Sequence, residues 1–356
     1  SPATVFDIAE GGDLTLGGGF NNPRGAFVKT GKGTLRIPGG EGKTITLAAT
    51  GGYVDALCLQ ALDFNANGDS PTKGYAGFTL ACGTLVLGEK GGTFNINGSA
   101  SDVMIGTMTK DPVRDAGQQE DGNGVLEVRG GTVNINNWLG MGAKCGFETT
   151  TPDYVPESGI RVYGGKLVAK KALGMGRNKA AVPQKDADGN WIRMRTKTFV
   201  EVHGGTFEVW NDGGRISPCD DAGADSRILV TGGKLFLRGT IKNGVPTTST
   251  EMSVGCCTDC DNTIPTRCDL TVSGSGVIEA TGFSIATGRQ NVMFDILVKD
   301  GGNLRWNTLQ KKNTKAGSKM DVLFDGGRTE LRYAGYTTWI QPDIDTFKIG
   351  TRGMTF

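Results

Sequence analysis

The chain has 356 residues with 58 glycines, 37% hydrophobic residues, and 38 Lys plus Arg against 37 Asp plus Glu. Glycine at more than twice its usual share of about 7% disfavours helices and demands many tight corners, while the apolar content is too high for a disordered chain. Balanced, interspersed charge excludes nucleic acid or a charged membrane surface as a partner held by long-range field, and the lack of any apolar run of about 18 residues excludes a membrane-spanning helix.

The chain begins at Ser1 without Met or a signal peptide and reads as processed or trimmed. Residues 1–52 hold two strand-rich stretches, GGDLTLGGGFNN and AFVKTGKGTLRIPGG, the second running from Ala26 to Gly40. In the second, an apolar strand, Lys29, Thr30, Gly31, then Gly33, Thr34, Leu35 and an alternating strand follow in order. This stretch resembles the autotransporter-associated β-strand repeat, with Lys32 standing where a small residue is commoner. The resemblance implies a passenger-type β-helix, exported across the envelope and displayed or shed, with a role in adhesion, surface structure or assembly. It carries no shared catalytic residues, and no translocating barrel is visible, so the export route is open.

Residues 53–124 read as degenerate coils of the same kind. Within them Asp63, Asn65, Asn67, Gly68 and Asp69 reproduce the opening of a calcium loop, with oxygen side chains on alternate residues and Gly at the sharp turn. The closing bidentate Glu is missing and Gly74 occupies its place. A bound Ca2+ would need a carboxylate from elsewhere, and an ordinary Asn/Gly turn is the favoured reading. No cofactor is required. Cys58 and Cys82 are spaced near the shortest repeat length, so they are expected to stack on adjacent coils and pair.

From 125 to 340 one pattern recurs: a short alternating strand, a Gly pair, then Thr or Lys opening a second strand. The copies are GVLEVRGGTVNIN, SGIRVYGGKLVA, FVEVHGGTFEV and RILVTGGKLFL, followed by the weaker DLTVSGSGVIEA, DILVKDGGNLRW and DVLFDGGRTEL. A third short segment follows several of them: DVMIG, WLGMG, ALGMG, EMSVG and FSIATG. Three strands per unit predict an all-β, right-handed parallel β-helix, with coils stacked about 4.8 Å apart. The second glycines, among them Gly92, Gly131, Gly165, Gly205, Gly233, Gly302 and Gly327, are expected at corners where φ > 0 or close approach to the next coil excludes a Cβ. Surplus residues follow the third segment, at Thr109 to Gly124, Lys144 to Ser158, Asn178 to Lys197, Pro218 to Ser226 and Cys256 to Arg267. Insertions at equivalent corners predict one loop-decorated face. Residues 341–356 read as an open C-terminal coil, and the whole chain as a single body within a larger protein.

The candidate chemistry is thin. One histidine, His203, excludes a conventional triad built on His and any multi-His metal centre. It belongs to a polar column just before the Gly pair, Arg129, Tyr163, His203, Thr231 and Ser273, expected on the outer surface. The eight cysteines fit an oxidising compartment. Cys256, Cys257, Cys260 and Cys268 form the densest cluster, read as disulfides stapling a loop to the coil in preference to a zinc site. Trp138, Tyr154, Trp191 and Trp210 are candidate stacking platforms for sugars, and Asp220 and Asp221 are candidate acidic ligands on the loop face. The expectation is a non-enzymatic extracellular structural or adhesive module, partnering itself, end to end or side by side, or host and matrix glycans and proteins. The alternative is a polysaccharide lyase, a glycosidase or a glycan-binding module on the same face.

Overall fold

Alternation of apolar and polar residues in bursts of four to seven, each closed by glycine, leaves the chain no route to a helix and every reason to form short strands. The computed structural model describes residues 3–17, 20–21, 26–48, 78–96, 103–106, 122–142, 155, 157–176, 184–185, 191–192, 196–210, 216–219, 223–243, 245–255, 266–285, 291–312, 314, 316–331 and 340–356. Among these the fold is all-β, without a helix, and is dominated by long parallel sheets. Sheet I has eleven strands in one path, sheet II has ten in its main path and an eleventh paired alongside, sheet III has seven and sheet IV has three.

The chain visits the sheets in rotation. Gly124–Val128 lies in sheet I, Thr132–Ile135 in sheet II and Leu139–Met141 in sheet III, after which Glu157–Val162, Lys166–Ala169 and Leu173–Met175 repeat the circuit. Each strand pairs in parallel with its counterpart one circuit on, so like residues fall into columns. In sheet I one such column runs Leu35, Leu85, Leu126, Ile160, Val200, Ile228, Leu270, Ile296 and Val322. In sheet II the matching column is Ile45, Phe94, Val133, Leu167, Phe207, Leu235, Ile278 and Leu304. All of these are buried in one continuous apolar core. Sheet III adds Phe27 stacked on Phe78 at 5.0 Å.

The glycine pairs sit where sheet I hands over to sheet II, as their spacing predicts. Gly165 has φ +68°, and a Cβ there would lie 2.3 Å from the Gly131 carbonyl oxygen, which itself accepts the Lys166 N–H at 2.8 Å. The same bond recurs from Thr206 to Gly165 and from Lys234 to Gly205. Glycine is therefore required twice over, by its dihedral and by the neighbouring backbone. In later circuits the left-handed residue moves one place earlier, to Gly301 and Gly326, while Gly302 and Gly327 keep the close approach.

The third segments also form as expected, and the five long intervals singled out in the sequence each separate a strand of sheet III or IV from the next strand of sheet I. Two excursions fall elsewhere, which corrects the expectation of a single insertion point. Residues 49–77 intervene between Thr44–Ala48 of sheet II and Phe78–Leu80 of sheet III. Further on, Val245–Ser249 folds back antiparallel on Lys234–Lys242 before sheet IV begins at Glu251–Val254. The strand Ile216–Ser217, which ends sheet III, was not legible as a third segment, because RISPC offers one apolar residue before Pro218.

Candidate functional site

The transition from sheets III and IV back to sheet I is the most chemically varied part of the molecule. Three strands of sheet III, Val103–Ile105, Leu139–Met141 and Leu173–Met175, are each followed by a left-handed glycine, Gly106, Gly142 and Gly176, packed so closely on the next circuit that a Cβ on Gly176 would lie 2.4 Å from the Ala224 Cβ. The opening residues of successive sheet I strands, Ser158, Thr198, Ser226 and Cys268, are direct parallel partners, and all are buried. Thr198 and Ser226 hydroxyls share a hydrogen bond of 2.9 Å, and the Ser226 Oγ also accepts the Cys219 N–H at 3.3 Å. The Cys219 thiol donates to the Arg267 carbonyl at 2.8 Å. Burial first, and then the neighbouring Cys219, push the Cys268 thiol well above its ordinary range. A thiol held protonated in this way is no nucleophile at neutral pH.

At the N-terminal end the same transition is filled by Lys29. Its side chain is fully buried, and Nζ donates to the carbonyls of Thr30 at 3.0 Å, Gly31 at 2.7 Å and Cys82 at 3.1 Å. Three acceptors match the three N–H bonds of an ammonium group. Desolvation lowers its pKa to about 8, opposed by the neighbouring Cys82 and Asp7, so the group is charged at neutral pH. Thr30 completes the corner by donating to Asp7 at 3.0 Å.

The outer face of sheet I carries a ladder of charges. Arg161 Nε donates to Glu201 at 2.9 Å, Arg227 Nη2 to the other Glu201 oxygen at 2.7 Å, and Arg129 Nη2 to Glu127 at 2.7 Å. The polar column lies alongside, as expected: Arg129 covers the Tyr163 ring at 4.9 Å, Tyr163 stacks on His203 at 5.2 Å, and His203 Nδ1 shares a hydrogen bond with Thr231 at 3.1 Å. Burial alone would raise the Glu201 pKa, but its hydrogen bond and charge contact with Arg161, and then Arg227, hold it below the usual carboxylate value. Such a carboxylate stays ionised at neutral pH and is a poor proton donor and a poor proton acceptor.

Of the candidate sugar platforms among the described residues, two share one corner and the third lies at another. Trp210 closes the sheet II strand Thr206–Trp210, half-buried, with Nε1 donating to Glu208 at 3.1 Å and the Lys170 ammonium 5.9 Å from its ring. Trp138 is half-buried between a sheet II and a sheet III strand. Both therefore sit at the handover from sheet II to sheet III. Trp191 belongs to Trp191–Ile192, paired antiparallel with Gln184–Lys185 in the interval between sheets III and I. Tyr154, Asp220, Asp221, the calcium-loop residues Asp63, Asn65, Asn67 and Asp69, and Cys58, Cys256, Cys257 and Cys260 lie outside the described residues.

Cys82 is buried where sheet III hands over to sheet I. Cys268 carries a free thiol inside the core, beside Cys219, while its expected companions Cys256, Cys257 and Cys260 lie outside the described residues. Alternation through Thr266–Val272 does signal that Cys268 points inward, since Leu270 and Val272 do. Its neighbour across the corner has no signal in the sequence. Among the described residues no group of three or more His, Cys, Asp or Glu is placed to hold a metal ion. No protein-family model, curated protein or solved structure matches this chain.

Proposed function

We propose that the chain is a right-handed parallel β-helix serving as a non-enzymatic structural or adhesive module outside the cell, presenting its loops to glycans or proteins and joining copies of itself through its sheet edges. The observation that carries this reading is the stacking of circuit on circuit through the eleven strands of sheet I and the ten of sheet II's main path, with five long intervals entering at one handover. Such a body is a rigid spacer: eleven strands at about 4.8 Å span roughly 50 Å. The similarity of residues 26–40 to the autotransporter-associated repeat supports export and display. The clamped carboxylates Glu127 and Glu201 support a binding role over acid–base chemistry on the outer face of sheet I.

The test is incubation with a panel of acidic and neutral polysaccharides, following bound glycan, new reducing ends and unsaturated products together. Binding without product is expected. Product formation that disappears in Asp220→Asn or Asp221→Asn would replace this reading with a glycan-cleaving enzyme.

A further inference from the structure

Sheet III ends at Ile216–Ser217, and its place is taken by sheet IV, which opens at Glu251–Val254. Across this break the strand ladder is interrupted, and among the described residues a single backbone bond, Gly255 N–H to the Pro218 carbonyl at 3.2 Å, joins the two sides. Between them the chain makes the antiparallel excursion of Val245–Ser249. The break is thus the place where parallel stacking contributes least and where a covalent tie would add most.

Two thiols meet there. Cys219 immediately follows Pro218, in a left-handed conformation with φ 55°, and is buried in the core. Cys268 lies in the sheet I strand Thr266–Val272 and is likewise buried. Two contacts fix them side by side. Cys219 N–H donates to Ser226 Oγ, and Ser226 is the strand partner of Cys268; Cys219 Sγ donates to the carbonyl of Arg267, the residue before Cys268.

We infer that Cys219 and Cys268 are a disulfide-forming pair that clips the end of sheet III to sheet I across the break between sheets III and IV. Two S–H bonds break and one S–S bond forms; the two protons and two electrons pass to a small disulfide oxidant, which leaves as two thiols. Both sulfurs are sealed from solvent, so the exchange takes place while the chain folds. The bond closes a long loop, 220–267, and its chief effect is to restrict the unfolded chain.

Tryptic peptides separate the alternatives, because Cys219 falls in 216–227, Cys268 in 268–289, and Cys256, Cys257 and Cys260 together in 243–267. The full chain is refolded with a mixture of oxidised and reduced glutathione, blocked with an alkylating agent and digested. A linked pair of 216–227 with 268–289, two hydrogens lighter than the separate peptides, is expected. The oxidised protein should melt roughly 5 °C above its reduced form, and Cys219→Ala should remove that difference. Linkage of 268–289 to 243–267, or alkylation of both Cys219 and Cys268 after refolding, would overturn the proposal. The peptide map is read on the unmodified sequence, so it decides the matter even where a variant fails to fold.

Discussion

The two best-described corners of the molecule do opposite things with the same task. Where sheet I hands over to sheet II, every circuit uses glycine, and the backbone of one circuit packs on the backbone of the last. Where sheets III and IV hand over to sheet I, three circuits also turn on a glycine, but that glycine packs on side chains, and these differ from circuit to circuit: Lys29 near the start, then Ser158, Thr198 and Ser226, then Cys219 with Cys268. A corner made of backbone repeats because a Cβ has no room. A corner made of side chains tolerates variety, so it is where long intervals enter and where individual chemistry accumulates.

The contrast breaks most visibly at Gly165. Gly165→Ala combines a left-handed φ with a Cβ 2.3 Å from a backbone oxygen, and a loss of about 4 kcal/mol in unfolding free energy is expected. Gly42 is its control: its φ is +70°, yet nothing lies within 4 Å of an added Cβ, so Gly42→Ala should lose only about 1 kcal/mol of dihedral strain. Urea melts of the two variants check the ratio. Equal losses would mean that the glycine corner is set by dihedral alone and not by close stacking.

Lys29 tests the side-chain corner. Lys29→Met keeps the apolar stem but strips three carbonyls of their donor, and a loss of about 3 kcal/mol near neutral pH is expected. The pH dependence has a definite sign. Burial lowers the folded-state pKa to about 8 from 10.5, so between those values the unfolded chain binds more protons and the wild type gains stability as pH rises. That gain, at most about 3 kcal/mol, should be absent from Lys29→Met, which thermal melts between pH about 7 and 10 will show.

This division also explains what the sequence made legible. Alternation and the recurring Gly pair place the strands of Gly124–Val128, Glu157–Val162 and Thr196–Val202 and the columns between them, because those features depend on neighbours a few residues apart. Lys29 was visible as a letter of a motif; its burial against three carbonyls, one of them from Cys82, depends on the next circuit. The meeting of Cys219 with Cys268, and the clamping of Glu201 by Arg161 and Arg227, likewise depend on register between circuits separated by intervals of irregular length. Trp138 and Trp210 looked like companions of Trp191 on one face because aromatic residues signal binding without signalling which corner they occupy. The hairpin strand Val245–Ser249 and the break between sheets III and IV interrupt a period that the repeat alone would continue.

The smallest expected effects lie on the outer face of sheet I, where two carboxylates should respond to acid in opposite directions. Glu201 has a folded-state pKa below its ordinary value, so its contribution is complete above the ordinary value and is lost as pH falls through the folded one. Glu201→Gln should therefore cost about 1 kcal/mol near neutral pH, less at high salt, and converge with wild type on acidification. Asp295 stands in a column between Asp269 and Asp321. Burial raises its pKa, Arg267 opposes the rise, and the two flanking aspartates add to it. Its ionised form thus weakens the fold, and Asp295→Asn should gain roughly a few tenths of a kcal/mol near neutral pH after solvent screening, with the gain vanishing as the aspartates protonate. Urea melts at pH about 3.5 and about 7 separate the two. If both variants moved in the same direction, the ladder would act through its packed stems, with the placement of charge immaterial.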